Sequence, residues 1–403
     1  MTWLAQFSAG FLLFSLGSSA QLPAQAQLID QRTFNVLNTT LPPAEFNATS
    51  LFIPPGSTEG SLTKQPFHVY DKEFLKIIGK TPTLTRIARS PRDPLYHEAV
   101  VWSNRTNEVF FAQNAGPPTA GTGLNKSAII EKISLAQVAT VSNRTDASGL
   151  VDIITVNATP TILNANGATN FRGQIALTGE GQGDYGAPAL YLLNPEKPYN
   201  TTVLLNNFFG RQFNSLNDIV VNPSNKDIYF TDSLYGYLQD FRPAPGIQNQ
   251  VYRFNPDTGA VTVAADGFAL PNGFTFSPNG KHAYATDTGI SQGFWAYNFT
   301  RPSSIYRYDV ADDGTLENRK TFAFVDSGAP DGVHCDSWGN VYAGCGDGIH
   351  VWNPHGKLIG KIYLGTTSAN FNFVGRGKMV ICAETSLYYA TLAADGNYVE
   401  SEM

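Results

Sequence analysis

Three stretches of this chain share one pattern, and that repetition limits what it can fold into. NDIVVNPSNKDIYFTD starts at Asn217, NGFTFSPNGKHAYATD at Asn272 and DGVHCDSWGNVYAGCG at Asp331. Each opens on Asn or Asp, runs through apolar residues, turns, and returns through an aromatic strand. With the opening residue as position zero, Tyr229 and Tyr284 fall at position 12 and Tyr342 at 11. EAVVWSNRTNEVFFAQ from Glu98 fits the same frame without a gap, with Phe110 at 12. NFNFVGRGKMVICAE from Asn370 is a tighter copy, and NANGATNFRGQIALTGEGQG a less regular sixth. Apolar alternation bounded by turn residues marks strands, and QVYRFNPDTGAVTVAADGF and GIHVWNPHGKLIGKIYLG add hairpins to the units. Units of about four strands and roughly 40 to 60 residues have the size of propeller blades. The expected fold is all-β: a six-bladed β-propeller with four-stranded blades over residues 96–400. A solenoid fits less well, because the period is not strict and the insertions vary.

Upstream the pattern stops. The apolar run Gly10–Gly17 is followed by SSAQ and AQAQ, small-residue cleavage patterns that read as a signal peptide over residues 1–20, with cleavage near Ala20 or as late as Ala26. No Lys or Arg precedes Arg32, and the run is too short to span a bilayer. Residues 27–95 read as an N-terminal extension packed on the propeller. Val69–Lys80 suggests one or two helical turns there, and the arm is long enough to give a strand that closes the last blade. Eight N-x-S/T sequons, at Asn38, Asn47, Asn104, Asn125, Asn143, Asn157, Asn200 and Asn298, are candidate glycosylation sites and fit a secreted, extracellular protein. Three cysteines exclude a disulfide scaffold; Cys345 and Cys382 occupy similar places in successive repeats and are the expected pair.

The net charge of −6 comes with no basic run, which argues against nucleic acid as a partner, and no membrane contact is expected once the leader is removed. Zinc motifs of the CxxC or HExxH type, a G-x-S-x-G elbow and a phosphate loop are all absent from the sequence. Position zero carries chemistry instead. The first strand of each blade lines the central channel, so equivalent residues form a ring at one mouth. Glu98, Asn217, Asn272, Asp331 and Asn370 would put carboxylate and amide oxygens there. Such hard donors suit one divalent metal, Ca²⁺ first, with Zn²⁺ or Mn²⁺ also compatible. Asn-Gly and Asp-Gly are also turn formers, and turn chemistry is the competing reading for each taken alone.

HEAVVW, LNDIVVNPSNKDIYFTD, PNGFTFSPNGKHAYATDTG and PDGVHCDSWGNVYAGCGDGIHVWNPHGKLIGKI together resemble the gluconolactonase/regucalcin (SMP-30) family of six-bladed propellers over about residues 96–395. GEGQG, YNTTVLLNNFFGRQFNSLND and GYLQDFRP are similar to its secreted fungal lactone hydrolases. The resemblance implies a metal-dependent hydrolase opening a small lactone, of the carboxylic-ester type. It implies Glu98, Asn217, Asn272 and Asp331 as metal ligands. Where much of the family has a substrate-contacting Arg, this chain has Ser215, and the usual EGP is EAV. Asp331 is the expected general base. His97 and His334 are alternatives that strand alternation should point away from the ring. Glu180 and Asp218 are expected to contact substrate or support the ligands, Asp218 by orienting Asn217. The other readings are a non-catalytic binding propeller with a structural calcium, or an arylesterase or strictosidine-synthase-like enzyme.

Overall fold

The computed structural model describes residues 22–42, 51–399 and 402–403. The leader reading and Asn47 lie outside them, except that Ala26 is buried within a strand, Ala26–Leu28. Six sheets form the blades of a propeller. Their innermost strands are Glu98–Ser103, Ala165–Phe171, Leu216–Val221, Pro271–Phe276, Val333–Cys335 and Phe371–Phe373. These open blades 1 to 6. Blades 1 to 4 are antiparallel meanders of four strands in chain order.

The last two blades recruit the N-terminal arm. Thr83–Arg89 pairs antiparallel with Ser386–Thr391 and completes blade 6, so the two ends of the propeller sequence close the ring. Phe67–Val69 adds to Leu358–Tyr363 of blade 5, and Ala26–Leu28 adds in parallel beyond it. Between these strands the Val69–Lys80 segment forms one short helix, Phe74–Ile78, whose Phe74, Ile77 and Ile78 fill the layer between blades 5 and 6.

The core is a series of layers between neighbouring blades. Alternate residues of a strand face opposite neighbours. Ile228 and Phe230 face blade 2, while Tyr229 faces blade 4. The repeated tyrosines of the sequence pattern fill these layers: Tyr229, Tyr284 and Tyr342 are all fully buried. Tyr229 Oη donates to Gly314 O at 2.6 Å and Tyr342 Oη to Asp336 at 2.9 Å, so these two phenols enter the core with partners.

The same alternation corrects the disulfide expectation. Cys335, Cys345 and Cys382 are free and buried. Cys345 packs with blade 4 residues, whereas Cys382 faces blade 1. Their side chains point to opposite sides of the blade 5–6 pair, and two sheets separate them. Of the described sequon asparagines, Asn38, Asn104, Asn125, Asn143, Asn157 and Asn200 are exposed, and Asn298 is half-buried.

Candidate functional site

Each inner strand begins at one end of the channel, and the second strand of the blade returns there. The links between second and third strands therefore rise over that mouth. They are long in blades 1, 3 and 4 (113–129, 233–249 and 288–303), shorter in blade 2 (180–188) and only two residues in blades 5 and 6 (346–347 and 384–385). The mouth is walled on one side and open on the other. A cavity of about 190 Å³ lies at its floor.

Four of the expected residues meet there. Glu98, Asn217, Asn272 and Asp331 line the cavity, from blades 1, 3, 4 and the entry to blade 5. Register explains the convergence. The residue three places after each pairs with the second strand: Val101 with Phe110, Val220 with Tyr229, Thr275 with Tyr284, His334 with Tyr342. Asn272-Gly273 is not a turn but part of a strand, and a Cβ on Gly273 would lie 2.4 Å from Asp331 O. The glycine is what lets blades 4 and 5 approach. In blade 1 the corresponding irregularity falls on Ala99, held at φ 57°.

Three threonines that the sequence reading passed over lock this arrangement. The ladder skips two residues at the mouth of each inner strand in blades 2 to 4. Thr178 Oγ1 accepts from Gly167 N and donates to Asn217 O; Thr231 Oγ1 accepts from Asp218 N and donates to Asn272 O; Thr286 Oγ1 donates to Asp331 O. Each hydroxyl ties its blade to the next blade's ring residue. Their signal was in the sequence, as the Thr of IALTG, IYFTD and AYATD.

The other expected residues divide. Glu180 lines the cavity, with Oε1 accepting from Asn166 at 3.1 Å and Oε2 from Ser215 Oγ at 2.7 Å. Ser215 sits behind Glu180 and takes Gly236 N at 3.0 Å, so it supports Glu180 and is not among the lining residues. Asp218 does not hold the Asn217 side chain. Its carboxylate accepts from Phe274 N and Ile219 N, both at 2.8 Å, and ties blade 3 to blade 4. Asn370 donates to Glu98 Oε2 at 2.6 Å and lies off the cavity wall. His334 is at the opposite end of the channel, edge-on to Phe371, and burial pushes it down to about 4.

His97 does face the cavity, against expectation. It precedes the strand that starts at Glu98, so alternation does not govern it. Its Nδ1 lies 2.8 Å from Glu384 Oε1. Burial alone would lower its pKa, but Glu384, Glu98 and Asp331 outweigh that and hold it up at about 10. Glu384, Asn114, Tyr235 and Thr288 also line the site, single residues outside the blade strands with no repeat to flag them.

The mouth is short of positive charge. No Lys or Arg is among the lining residues. Burial raises Glu98 above the usual carboxylate range, and Asp331 raises it further; burial pushes Asp331 to about 6 and Glu180 to about 7. Buried acceptors are also left over. Asn166 Oδ1, Asn217 Oδ1 and Asp331 Oδ1 have no hydrogen-bond partner, at a cost of roughly 1–3 kcal/mol each without a cation or donor. Among the described residues no three His, Cys, Asp or Glu side chains group to hold a metal. The ring makes up its oxygen count with amides, a donor set that fits a hard divalent cation.

Residues 187–385 match the family described as the SMP-30/Gluconolactonase/LRE-like region. The chain is 31% identical to Lactonohydrolase oryL of Aspergillus oryzae over 69% of its own length and 63% of that protein. It is 29% identical to a Gluconolactonase of Zymomonas mobilis over 44% of its length and 49% of that protein. A gluconolactonase structure from Xanthomonas campestris superposes with a TM-score of 0.62 at 21% identity, covering 81% of this chain and 94% of the other. The chain therefore spans less than two thirds of the length of these curated relatives.

Proposed function

We propose that this chain, a member of the SMP-30/gluconolactonase-like family, hydrolyses a small lactone at the walled channel mouth. The observation that carries the reading is the convergence of Glu98, Asn217, Asn272 and Asp331 on one cavity, with the Asn217 and Asp331 oxygens buried and unpartnered. These four residues would hold one divalent cation, Ca²⁺ by the chemistry of the oxygen donors. When bound, the ion supplies a Lewis acid for the lactone carbonyl and for the oxyanion formed on attack.

The side chains do the rest. Asp331, through the carboxylate oxygen that does not face the cation, takes a proton from the attacking water, and the proton passes to the ring oxygen as its bond to the acyl carbon breaks. Glu180, braced by Asn166 and Ser215, offers a fixed carboxylate to substrate hydroxyls. His97, held by Glu384, balances the negative wall. The walls from blades 1 to 4 keep bulk water off one side, and substrate enters over blades 5 and 6, past Glu384, where the links between second and third strands are short.

Secretion is part of the same reading. Six sequon asparagines are exposed, and the burial of Ala26 in a strand favours leader removal near Ala20. No helix among the described residues is long and apolar enough to cross a membrane.

Asp331→Asn tests the assignment. Lactone turnover at saturating calcium should fall at least ~100-fold, with the far-UV spectrum unchanged. Full activity in this variant would remove Asp331 from the proton transfer.

A further inference from the structure

The four-residue ring leaves blade 2 without a member, yet blade 2 has a residue at the same place. Three residues after Asn166, Thr169 pairs with Ala176 of the second strand, as Val220 pairs with Tyr229 in blade 3. Asn166 is 6% exposed and lines the cavity.

Its orientation follows from its partner. Asn166 Nδ2 meets Glu180 Oε1 at 3.1 Å. With Glu180 ionised, its oxygens only accept, and the amide nitrogen faces it. Glu180 is itself fixed, because Ser215 Oγ holds its other oxygen at 2.7 Å. Asn166 Oδ1 is thereby turned away from Glu180, and it finds no donor there. The neighbouring ring residue, Asn217, is in the same state, with Oδ1 buried and unpartnered.

The backbone brings the two together. A Cβ on Gly167 would stand 2.5 Å from Asn217 O, and the Thr178 hydroxyl joins Gly167 N to that same carbonyl. Two adjacent blades thus line one cavity with two desolvated side-chain amide oxygens. A designless defect would cost stability twice at one spot; a shared cation accounts for both.

We propose that Asn166 Oδ1 is a fifth protein oxygen ligand of the calcium ion, with Glu180 and Ser215 as positioning residues that fix the amide. This rests on the metal site proposed above and not on the lactonase reading. A chain supplying five oxygens from five blades leaves fewer coordination positions for water and substrate in a shell of six to eight.

The test is calcium titration by calorimetry on metal-stripped, folded protein, with thermal unfolding of the same samples. Asn217→Ala is the control for the four-residue ring. Asn166→Ala should weaken calcium binding by roughly tenfold or more, in the range seen when ligands and their supports are removed. Ser215→Ala should weaken it by a smaller factor. Asn166→Ala removes its bond to Glu180 as well as an unsatisfied buried oxygen, so the metal-free midpoint is only the reference; the calcium-induced rise in that midpoint should be smaller than in the parent. A merely structural role would leave calcium affinity and the calcium-induced rise unchanged. If Asn217→Ala loses calcium and Asn166→Ala stays within twofold of the parent, the fifth ligand is wrong and the ring stands. If the parent binds no calcium, this inference falls with the metal site, whatever lactones it hydrolyses.

Discussion

Replacing Thr231 by Val is the sharpest probe of how the ring is held. The side chain is fully buried and the two residues are nearly the same shape, so the packing between blades 3 and 4 is little changed. What disappears is one hydroxyl with two bonds: it accepts from Asp218 N at 2.9 Å and donates to Asn272 O at 2.8 Å. The ladder skips this part of the strand, so Asp218 N has no other backbone partner to turn to. Stranding a buried N–H costs roughly 1–3 kcal/mol, and weakening the carbonyl adds to it. The expected loss is about 2–4 kcal/mol, read as a lower denaturant midpoint at unchanged slope. Calcium affinity should fall with it, since Asn272 loses its backbone anchor. Thr231→Ser, which keeps the hydroxyl, should recover most of both losses. A Val variant within about 0.5 kcal/mol of the parent, the scatter of innocuous substitutions, would show that the threonine clamp does not hold the ring.

Three further expectations follow from individual side chains. Ala99 is buried at φ 57°, where a Cβ is strained, so Ala99→Gly should raise stability by about 0.5–1 kcal/mol in chemical denaturation; a loss would refute the strain. Glu131 is buried, its Oε2 has no partner, and burial lifts its pKa from 4.5 to about 7. The folded state then binds more protons than the unfolded between those values, so the parent should lose about 3 kcal/mol as pH rises from 4.5 to 7, and Glu131→Gln should flatten that slope. The three buried cysteines should be silent to a thiol reagent in the native protein and all react in denaturant; a count of one would restore a disulfide.

Much of the site was legible because it repeats. The repeat register puts Glu98, Asn217, Asn272, Asp331 and Asn370 at one position, and the first four line one cavity, since a ring of blades turns equal spacing into spatial convergence; Asn370 lies off its wall. Asn166 escaped because its strand turn is short: Ala176 stands at position 10, where blades 1, 3, 4 and 5 carry an aromatic at 11 or 12. The cysteine pairing failed for the same reason the ring succeeded. Similar places in successive repeats are not neighbours when the two thiols face different layers. Asp218 was expected to serve its neighbour in sequence and instead serves Phe274 N of the next blade. His97 was read by strand alternation, which does not extend to a residue before the strand. Glu384 and Asn114 had no sequence signal, because only loop geometry brings them to the mouth.

The central claim is a lactonase whose oxygen ring holds calcium. Its most direct test is hydrolysis of a lactone panel (an aldonolactone, pantolactone and an aromatic lactone) before chelation, after it, and with Ca²⁺ restored. The account predicts that at least one lactone is opened, that chelation abolishes the activity, and that Ca²⁺ returns it. Hydrolysis that survives complete removal of the metal, or no hydrolysis of any lactone by folded, calcium-loaded protein, would contradict it.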